Sequence, residues 1–168
     1  MKKISLVVLA GALLGSVFAA APAYADDDRT CRGVIRAVSV DGDVKVPRGQ
    51  KCTLIGTRVD GNVKVGKGAT LIATKVRVDG DIQAEKARRV SVTKGSRVDG
   101  NIQIEESRDI TIRSTRVDGD IQIEKNRGRV KIDNNKVDGN LQCEKNRPAP
   151  TGKGNRVKGD KEGQCRGF

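Results

Sequence analysis

The segment Arg97-Val-Asp-Gly-Asn-Ile-Gln-Ile-Glu105 recurs along the chain and decides its fold. The next copy, Arg116-Val-Asp-Gly-Asp-Ile-Gln-Ile-Glu124, differs from it at a single position. The Gly of this segment returns at intervals of 19 or 20 residues, at Gly42, Gly61, Gly80, Gly100, Gly119, Gly139 and Gly159. A fixed period of this size is the signature of a repeat architecture, in which each unit stacks on its neighbours.

Each repeat alternates apolar and polar residues as a short β-strand does. After Gly100, Ile102 and Ile104 flank Gln103, and this period of two places both Ile side chains on one buried face. A second alternation lies before the Gly of the following repeat, as in Ile110-Thr-Ile112. The apolar residues are mostly β-branched, which favours strands, so we expect negligible helix after the N-terminal leader.

Two or three short strands per repeat predict an all-β, single-domain parallel β-helix, or solenoid, of about seven coils. Parallel crossover connections are almost always right-handed, so we expect a right-handed solenoid. The alternative is an antiparallel sandwich or barrel, because strands spaced about ten residues apart also suit that fold. The recurrence of the whole unit, and not only of its pattern, favours the solenoid.

The first 25 residues predict a signal peptide. Lys2 and Lys3 precede the apolar run 4–21, and Ala23-Tyr24-Ala25 supplies a small-x-small cleavage site. The alternative is a membrane anchor, because the run approaches the ~20 residues that span a bilayer, but its Ala and Gly content and the cleavage site favour removal. We therefore expect a secreted or periplasmic bacterial protein without a transmembrane anchor in the mature chain.

Four Cys residues suit an oxidising compartment. Cys31 and Cys52 are 21 residues apart, and Cys143 and Cys165 are 22 residues apart. Because the repeat stacks residues about 20 positions apart, we predict the disulfides Cys31–Cys52 and Cys143–Cys165, one near each end. A structural metal site would need clustered Cys or His, and the chain has no His, so we expect no metal and no cofactor.

The composition disfavours several classes of function. The chain has no His and no Trp, and after the leader Phe168 is its only aromatic residue. The usual general base is therefore missing, and so is a stacking platform for sugars or single-stranded bases. Acidic residues recur in every coil, and no coil departs from the pattern to build a distinct pocket, so we expect no enzymatic activity.

Stacking converts repeated charged residues into columns. The basic column lies three positions before each Gly and consists of Arg58, Arg77, Arg97, Arg116, Lys136 and Arg156. The acidic column lies one position before each Gly and consists of Asp41, Asp60, Asp79, Asp99, Asp118 and Asp138. Residues two apart in a strand share a face, so we expect the columns to lie side by side and to offset the repulsion within each.

The position after the Gly alternates between Asp and Asn. Its members are Asp43, Asn62, Asp81, Asn101, Asp120 and Asn140. We interpret this column as a structural ladder in which Asn amides separate the carboxylates and donate hydrogen bonds. The alternative is a calcium site, because rows of carboxylates can form oxygen cages. The Gly- and Asp-rich nine-residue repeat of calcium-binding solenoids is absent, however.

Surplus positive charge collects at the bend between repeats. The residues concerned are Arg88, Arg89, Arg108, Arg127, Arg129 and Arg147. Loss of Lys2 and Lys3 with the leader lowers the net charge only from +12 to +10. Stacking would align these Arg residues along one edge as a candidate site for an anionic polysaccharide, lipopolysaccharide or nucleic acid. The alternative is a basic surface that the acidic columns partly neutralise.

The two ends of the chain differ. We divide the mature chain into an N-terminal segment (26–32), the solenoid repeats (33–146) and a C-terminal capping segment (147–168). The capping segment is rich in Pro and Gly, carries Lys161 where other repeats are aliphatic, and would be held by Cys143–Cys165. The N-terminal end is less obviously closed, which leaves a head-to-head homodimer open.

Two resemblances accompany these patterns. The Gly-centred repeats of residues 33–141 are similar to those of bactofilins, polymer-forming β-helical scaffold proteins of bacteria, although bactofilins lack a leader and disulfides. The ending from Gly139-Asn-Leu-Gln-Cys143 to Gln164-Cys165 resembles that of small uncharacterised secreted bacterial repeat proteins. Neither resemblance transfers a catalytic residue. We therefore expect a non-enzymatic structural or surface protein of the envelope or matrix, with polyanion binding and calcium-dependent adhesion as alternatives.

Overall fold

The computed structural model describes residues 27–168, which form a single-domain parallel β-solenoid of about seven coils with no helix among them. This confirms the predicted fold class, while the handedness stays a prediction. The predicted signal peptide (1–25) lies outside the described residues. Each full coil contributes one strand to each of three parallel sheets, called sheets A, B and C here.

The strands of each sheet follow one another at a spacing of one coil. Sheet A contains β1 (Arg29–Thr30), β4 (Val44–Val46), β7 (Val63–Val65), β10 (Ile82–Glu85), β13 (Ile102–Glu105), β16 (Ile121–Glu124), β19 (Leu141–Glu144) and β22 (Lys161–Gly163). Sheet B contains β2 (Gly33–Arg36), β5 (Lys51–Ile55), β8 (Thr70–Thr74), β11 (Arg89–Thr93), β14 (Asp109–Arg113), β17 (Val130–Asp133) and β20 (Thr151–Lys153). Sheet C contains β3 (Ser39–Val40), β6 (Arg58–Val59), β9 (Arg77–Val78), β12 (Arg97–Val98), β15 (Arg116–Val117), β18 (Lys136–Val137) and β21 (Arg156–Val157).

The register pairs equivalent residues of successive coils. Ile102 of β13 pairs with Ile121 of β16, and Gln103 pairs with Gln122. In sheet C, Arg97 pairs with Arg116. Every repeated residue therefore becomes a column with the strand spacing of about 4.8 Å.

The core is a set of aliphatic columns inside the three sheets. Each sheet contributes fully buried side chains to these columns, for example Val98 in sheet C, Ile102 in sheet A and Ile112 in sheet B. Burying each such side chain contributes about 1.5–3 kcal/mol, and one continuous cluster extends from Cys31 to Cys165. Columns of β-branched residues thus replace the aromatic residues that the chain lacks.

The recurring Gly is required by close backbone approach. A Cβ atom at Gly100 would lie 2.8 Å from both the carbonyl carbon and the carbonyl oxygen of Gly80 in the preceding coil, and would also collide with Asp81 Oδ1. Gly119 and Gly139 meet the same obstacle one and two coils further on. The corner between sheets C and A can therefore stack only if it contains Gly.

Both predicted disulfides are present. Cys31 pairs with Cys52, with the two Cα atoms 5.5 Å apart, and Cys143 pairs with Cys165, with the Cα atoms 5.2 Å apart. At the C-terminal end, the ring of Phe168 packs over sheet B so closely that a Cβ at Gly152 would lie 2.7 Å from Phe168 Cε2.

The N-terminal coil is more open than the C-terminal one. Two large hydrophobic residues of the described chain are exposed, Val34 and Val38, and both belong to this first coil. Strand pairing extends from Arg29 to Gly163. Head-to-head dimerisation stays a prediction. In residues 27–168 no helix is long and apolar enough to cross a membrane.

Candidate polyanion-binding site

The corner between sheets C and A holds an Arg–Asp network that we call the CA zipper. Arg97 Nε donates to Asp99 Oδ1 in its own coil at 2.5 Å, and Arg97 Nη2 donates to Asp118 Oδ2 in the next coil at 2.5 Å. Three further Arg residues bridge two coils in the same way: Arg58, Arg77 and Arg116. The predicted neighbouring columns of opposite charge are confirmed for these four Arg residues and for Asp60 to Asp138, whereas Asp41, Lys136 and Arg156 form no ion pair within residues 27–168.

The zipper weakens where Lys replaces Arg. Arg116 Nη2 still donates to Asp138 Oδ2 at 2.8 Å, but Lys136 has no Nε to donate to Asp138 Oδ1 as Arg does in the other coils. That oxygen is buried and accepts no hydrogen bond from the described residues, although Lys158 Nζ lies 3.1 Å away. The ammonium group of Lys158 lowers the pKa of Asp138.

The Asp/Asn column forms a structural ladder, but backbone N–H groups donate its continuous bonds, and the predicted side-chain amide donors act at Asn62 and Asn101. Asn62 N donates to Asp43 Oδ1 at 2.7 Å, and Asp81 N donates to Asn62 Oδ1 at 2.9 Å. The same bond recurs at Asn101, Asp120 and Asn140, and the N–H of Asp160 in the last coil continues it. Donation from the Lys64 ammonium group, followed by donation from the Asn62 backbone N–H, lowers the pKa of Asp43 to about 2.

The side-chain oxygens of this ladder bear on the calcium alternative. Each Oδ1 atom from Asp43 to Asn140 accepts a backbone N–H of the next coil, so one oxygen of every residue already has a partner. Residues 27–168 contain no group of three or more Cys, Asp or Glu arranged to hold a metal ion. The calcium interpretation stays a prediction. The hydrogen bonds explain why each coil carries Asp or Asn at this position, because both residues have the Oδ1 atom that accepts the bond.

The corner between sheets A and B carries a second column of Arg, which we call the Arg column. Its members are Arg88, Arg108, Arg127 and Arg147, all exposed. Backbone bonds place them in consecutive coils. Arg108 N donates to Ala87 O at 3.1 Å, Arg127 N donates to Ser107 O at 2.9 Å, and Arg147 N donates to Asn126 O at 2.8 Å. At this corner, unlike the CA zipper, no carboxylate among the described residues lies within ion-pair distance of any of the four.

The two other Arg residues predicted for this edge lie beside the column. Arg89 Nη2 forms an ion pair with Asp109 Oδ2 at 3.1 Å. Arg129 lies one coil after Asp109. Its carbonyl oxygen accepts the N–H of Ile110, the residue that follows Asp109. The structure thus brings all six predicted residues to one corner, and Asp109 partly neutralises the row that contains Arg89 and Arg129.

A buried polar ladder underlies the Arg column. Ser107, Asn126 and Asn146 directly precede Arg residues of the column and are almost fully buried. Ser107 N donates to Asn126 Oδ1 at 2.7 Å, and Asn126 N donates to Asn146 Oδ1 at 3.0 Å. The C-terminal tail ends the ladder, because Asn146 N donates to Gln164 Oε1 at 2.8 Å.

Sequence reasoning missed this ladder and a second one at the corner between sheets B and C. There Thr115 N donates to Asn135 Oδ1, and Asn135 N donates to Asn155 Oδ1, both at 3.0 Å. The available signal was a polar residue that recurs immediately before an Arg or Lys in successive repeats. These amides look like surface residues in the sequence, although stacking buries them.

A column of Glu borders the Arg column on the side of sheet A. Its members are Glu85, Glu105, Glu124 and Glu144, each the last residue of its strand. Lys125 Nζ donates to Glu105 Oε1 at 2.6 Å, and Lys86 pairs with Glu85 and Glu106. These carboxylates raise the pKa values of Lys86 and Lys125.

The outer face of sheet A continues beyond this border as a shallow groove. The groove has a volume of about 680 Å³ and is floored by Gln83, Gln103 and Gln122. Toward the N-terminal end this floor continues into Lys64 and Lys45, and one bank is the Glu column. The Arg column is therefore a positive strip with an acidic boundary on the side of sheet A.

Comparisons of the chain with protein-family models, with curated proteins and with solved structures find no match. The fold and its corners define a disulfide-linked parallel β-solenoid in which one corner is a network of Arg–Asp ion pairs and another carries four Arg residues without an ion-pair partner in residues 27–168.

Proposed function

We propose that this protein is a non-enzymatic rod of the bacterial envelope or extracellular matrix that docks onto an anionic polymer through the Arg column. The observation that carries the proposal is the contrast between two sets of four Arg. Each Arg of the CA zipper contacts two carboxylates, whereas those of the Arg column are exposed and have no ion-pair partner in residues 27–168.

The electrostatics favour an anionic partner. Four guanidinium groups at the strand spacing of about 4.8 Å repel one another unless an anion lies along them. Arg presents a planar fork of donors that binds carboxylate, sulfate or phosphate groups through charge-assisted hydrogen bonds. An anionic polymer would supply the counter-charge that the CA zipper obtains from Asp.

The rest of the molecule suits a rigid carrier for such a site. Hydrogen-bonded ladders run along several corners and tie each coil to the next. The disulfides Cys31–Cys52 and Cys143–Cys165 are compatible with an extracellular or periplasmic location. A structural role and a docking role are thus compatible in one rod.

Retention on immobilised heparin in a salt gradient tests the proposal. The double variant Arg108→Gln/Arg127→Gln removes the centre of the Arg column, and Arg32→Gln/Arg36→Gln removes the same net charge from exposed residues of the first coil. We expect the first variant to elute at clearly lower salt than the wild type, and the control to elute close to it. Equal shifts for the two variants would show that only net charge matters and would overturn the proposal.

A further inference from the structure

The backbone of the Arg column stacks its members one coil apart. Its four members lie in consecutive coils, so at about 4.8 Å per coil the row spans about 14 Å along the rod axis. A ligand that contacts all four must present its charges along a line parallel to that axis. An extended single chain meets this condition.

The backbone beneath the row is already ordered before any ligand binds. Asn126 Nδ2 donates to Ile104 O at 3.1 Å and to Asn146 Oδ1 at 2.9 Å, so the residue before Arg127 is held by its side chain as well as by its backbone. Asn146 Nδ2 likewise donates to Ile123 O, and Ser107 Oγ accepts the N–H of Ala87 and donates to Glu105 O. Pre-ordering of this kind lowers the entropic cost of binding.

Acidic groups on the side of sheet A restrict what can lie on the row. Glu124 and Glu144 border it there, whereas Asp109 on the side of sheet B is already paired with Arg89. A flat anionic membrane would bring its phosphates against the Glu carboxylates as well as against the Arg residues. Repulsion of this kind discriminates against broad partners, whereas one narrow chain avoids it.

The described residues offer no free aromatic side chain that could stack on nucleotide bases. Phe168 is the only aromatic residue in 27–168, and its ring packs against Gly152 at the C-terminal end. Single-stranded nucleic acids gain much of their affinity from base stacking on aromatic side chains. The row therefore favours a polymer whose binding groups are charges alone.

Resting on the proposed function, we infer that the Arg column binds a single linear acidic polysaccharide, rich in carboxylates, that lies parallel to the rod axis. Each guanidinium group binds one carboxylate of the polysaccharide. Repulsion from the Glu column keeps the polysaccharide off the outer face of sheet A.

A length series of oligogalacturonates, titrated into the purified full-length protein by calorimetry at low salt, tests the inference. We expect affinity to rise steeply until the oligomer spans about 14 Å. Longer oligomers should gain affinity only in proportion to the number of alternative positions in which they can lie along the four Arg residues. Arg127→Gln should weaken binding of the longer oligomers several-fold, while Arg36→Gln leaves it near the wild-type value. A steep rise that continues well past this length, or equal effects of the two variants, would overturn the inference.

Two further probes separate this inference from the proposed function. Vesicles containing phosphatidylglycerol and oligothymidylates of matched charge should bind at least tenfold more weakly than the longer oligogalacturonates. If either binds as tightly and depends on Arg127 in the same way, the polysaccharide inference is wrong while polyanion docking stands. If neither these probes nor heparin distinguishes Arg108→Gln/Arg127→Gln from its control, the proposed function itself is wrong.

Discussion

The CA zipper and the Arg column use the same residue in opposite ways. Both place Arg at the strand spacing on consecutive coils, but Arg97 lies two residues before Asp99 in one extended segment, and this spacing puts both side chains on one face. Arg108 is followed at once by Asp109, which pairs with Arg89 instead. Stacking therefore amplifies whatever a single coil contains: a balanced pair becomes a neutral network, and an unbalanced charge becomes a continuous basic row.

The largest expected loss of stability comes from a substitution that disrupts stacking at the corner between sheets C and A. Gly100→Ala would force a Cβ against the Gly80 carbonyl group, which is backbone and cannot turn aside. We expect a loss of about 3 kcal/mol or more in the free energy of unfolding, measured by guanidinium denaturation. Gly167→Ala is the matched control, because no atom lies within 4 Å of the added Cβ. Equal stability of the two variants would show that the corner is not closely packed.

A matched pair of Arg variants compares the two corners directly. Arg97→Gln removes bonds to Asp99 and Asp118 and should lower the free energy of unfolding by about 1 kcal/mol, with the loss shrinking at high salt. Arg108→Gln relieves repulsion within its column and should leave stability unchanged or slightly higher. If Arg108→Gln proves the more destabilising of the two, the assignment of structural and binding roles to the corners is wrong.

The Asp/Asn ladder beside the zipper predicts a pH dependence. The pKa of Asp43 is lowered to about 2 from an ordinary value of 3.8, so the folded state prefers the charged form. Its stabilising contribution is complete above about pH 4 and is lost as the pH falls towards 2. Allowing for solvent screening, the loss is on the order of 1 kcal/mol. Asp43→Asn should flatten this part of the stability profile, and an unchanged profile would contradict the assignment.

The smallest expected effect is a gain from completing the zipper. Lys136→Arg would supply the Nε donor that Asp138 Oδ1 lacks, as Arg116 supplies it to Asp118 Oδ1 at 2.8 Å one coil earlier. We expect a rise of about 1–2 °C in Tm by calorimetry. Lys145→Arg, at an exposed position of the other corner, is the control and should not raise it. A lower Tm for Lys136→Arg would show that the corner cannot accept a longer planar group there.

Much of the architecture could be predicted because a repeat has one dominant regularity. The 19- or 20-residue period determines which residues stack, so the sheets, the two disulfides and the Asp/Asn ladder all follow from counting. The buried ladder of Ser107, Asn126 and Asn146 could not be found in that way, since polarity suggests exposure. Its burial depends on the backbone turning inward at the corner, where each side-chain oxygen meets the N–H of the adjacent coil.

For the candidate site, too, the repeat period predicts some features and only the folded structure reveals others. The sequence by itself determined that Arg88, Arg108, Arg127 and Arg147 belong to one edge, because column membership follows from the period alone. Only the tertiary structure decided that these four have no carboxylate partner among the described residues, while Arg58, Arg77, Arg97 and Arg116 each contact two carboxylates. The physical reason is that ion pairing depends on the direction in which side chains leave each corner, and that direction is a property of the folded coil.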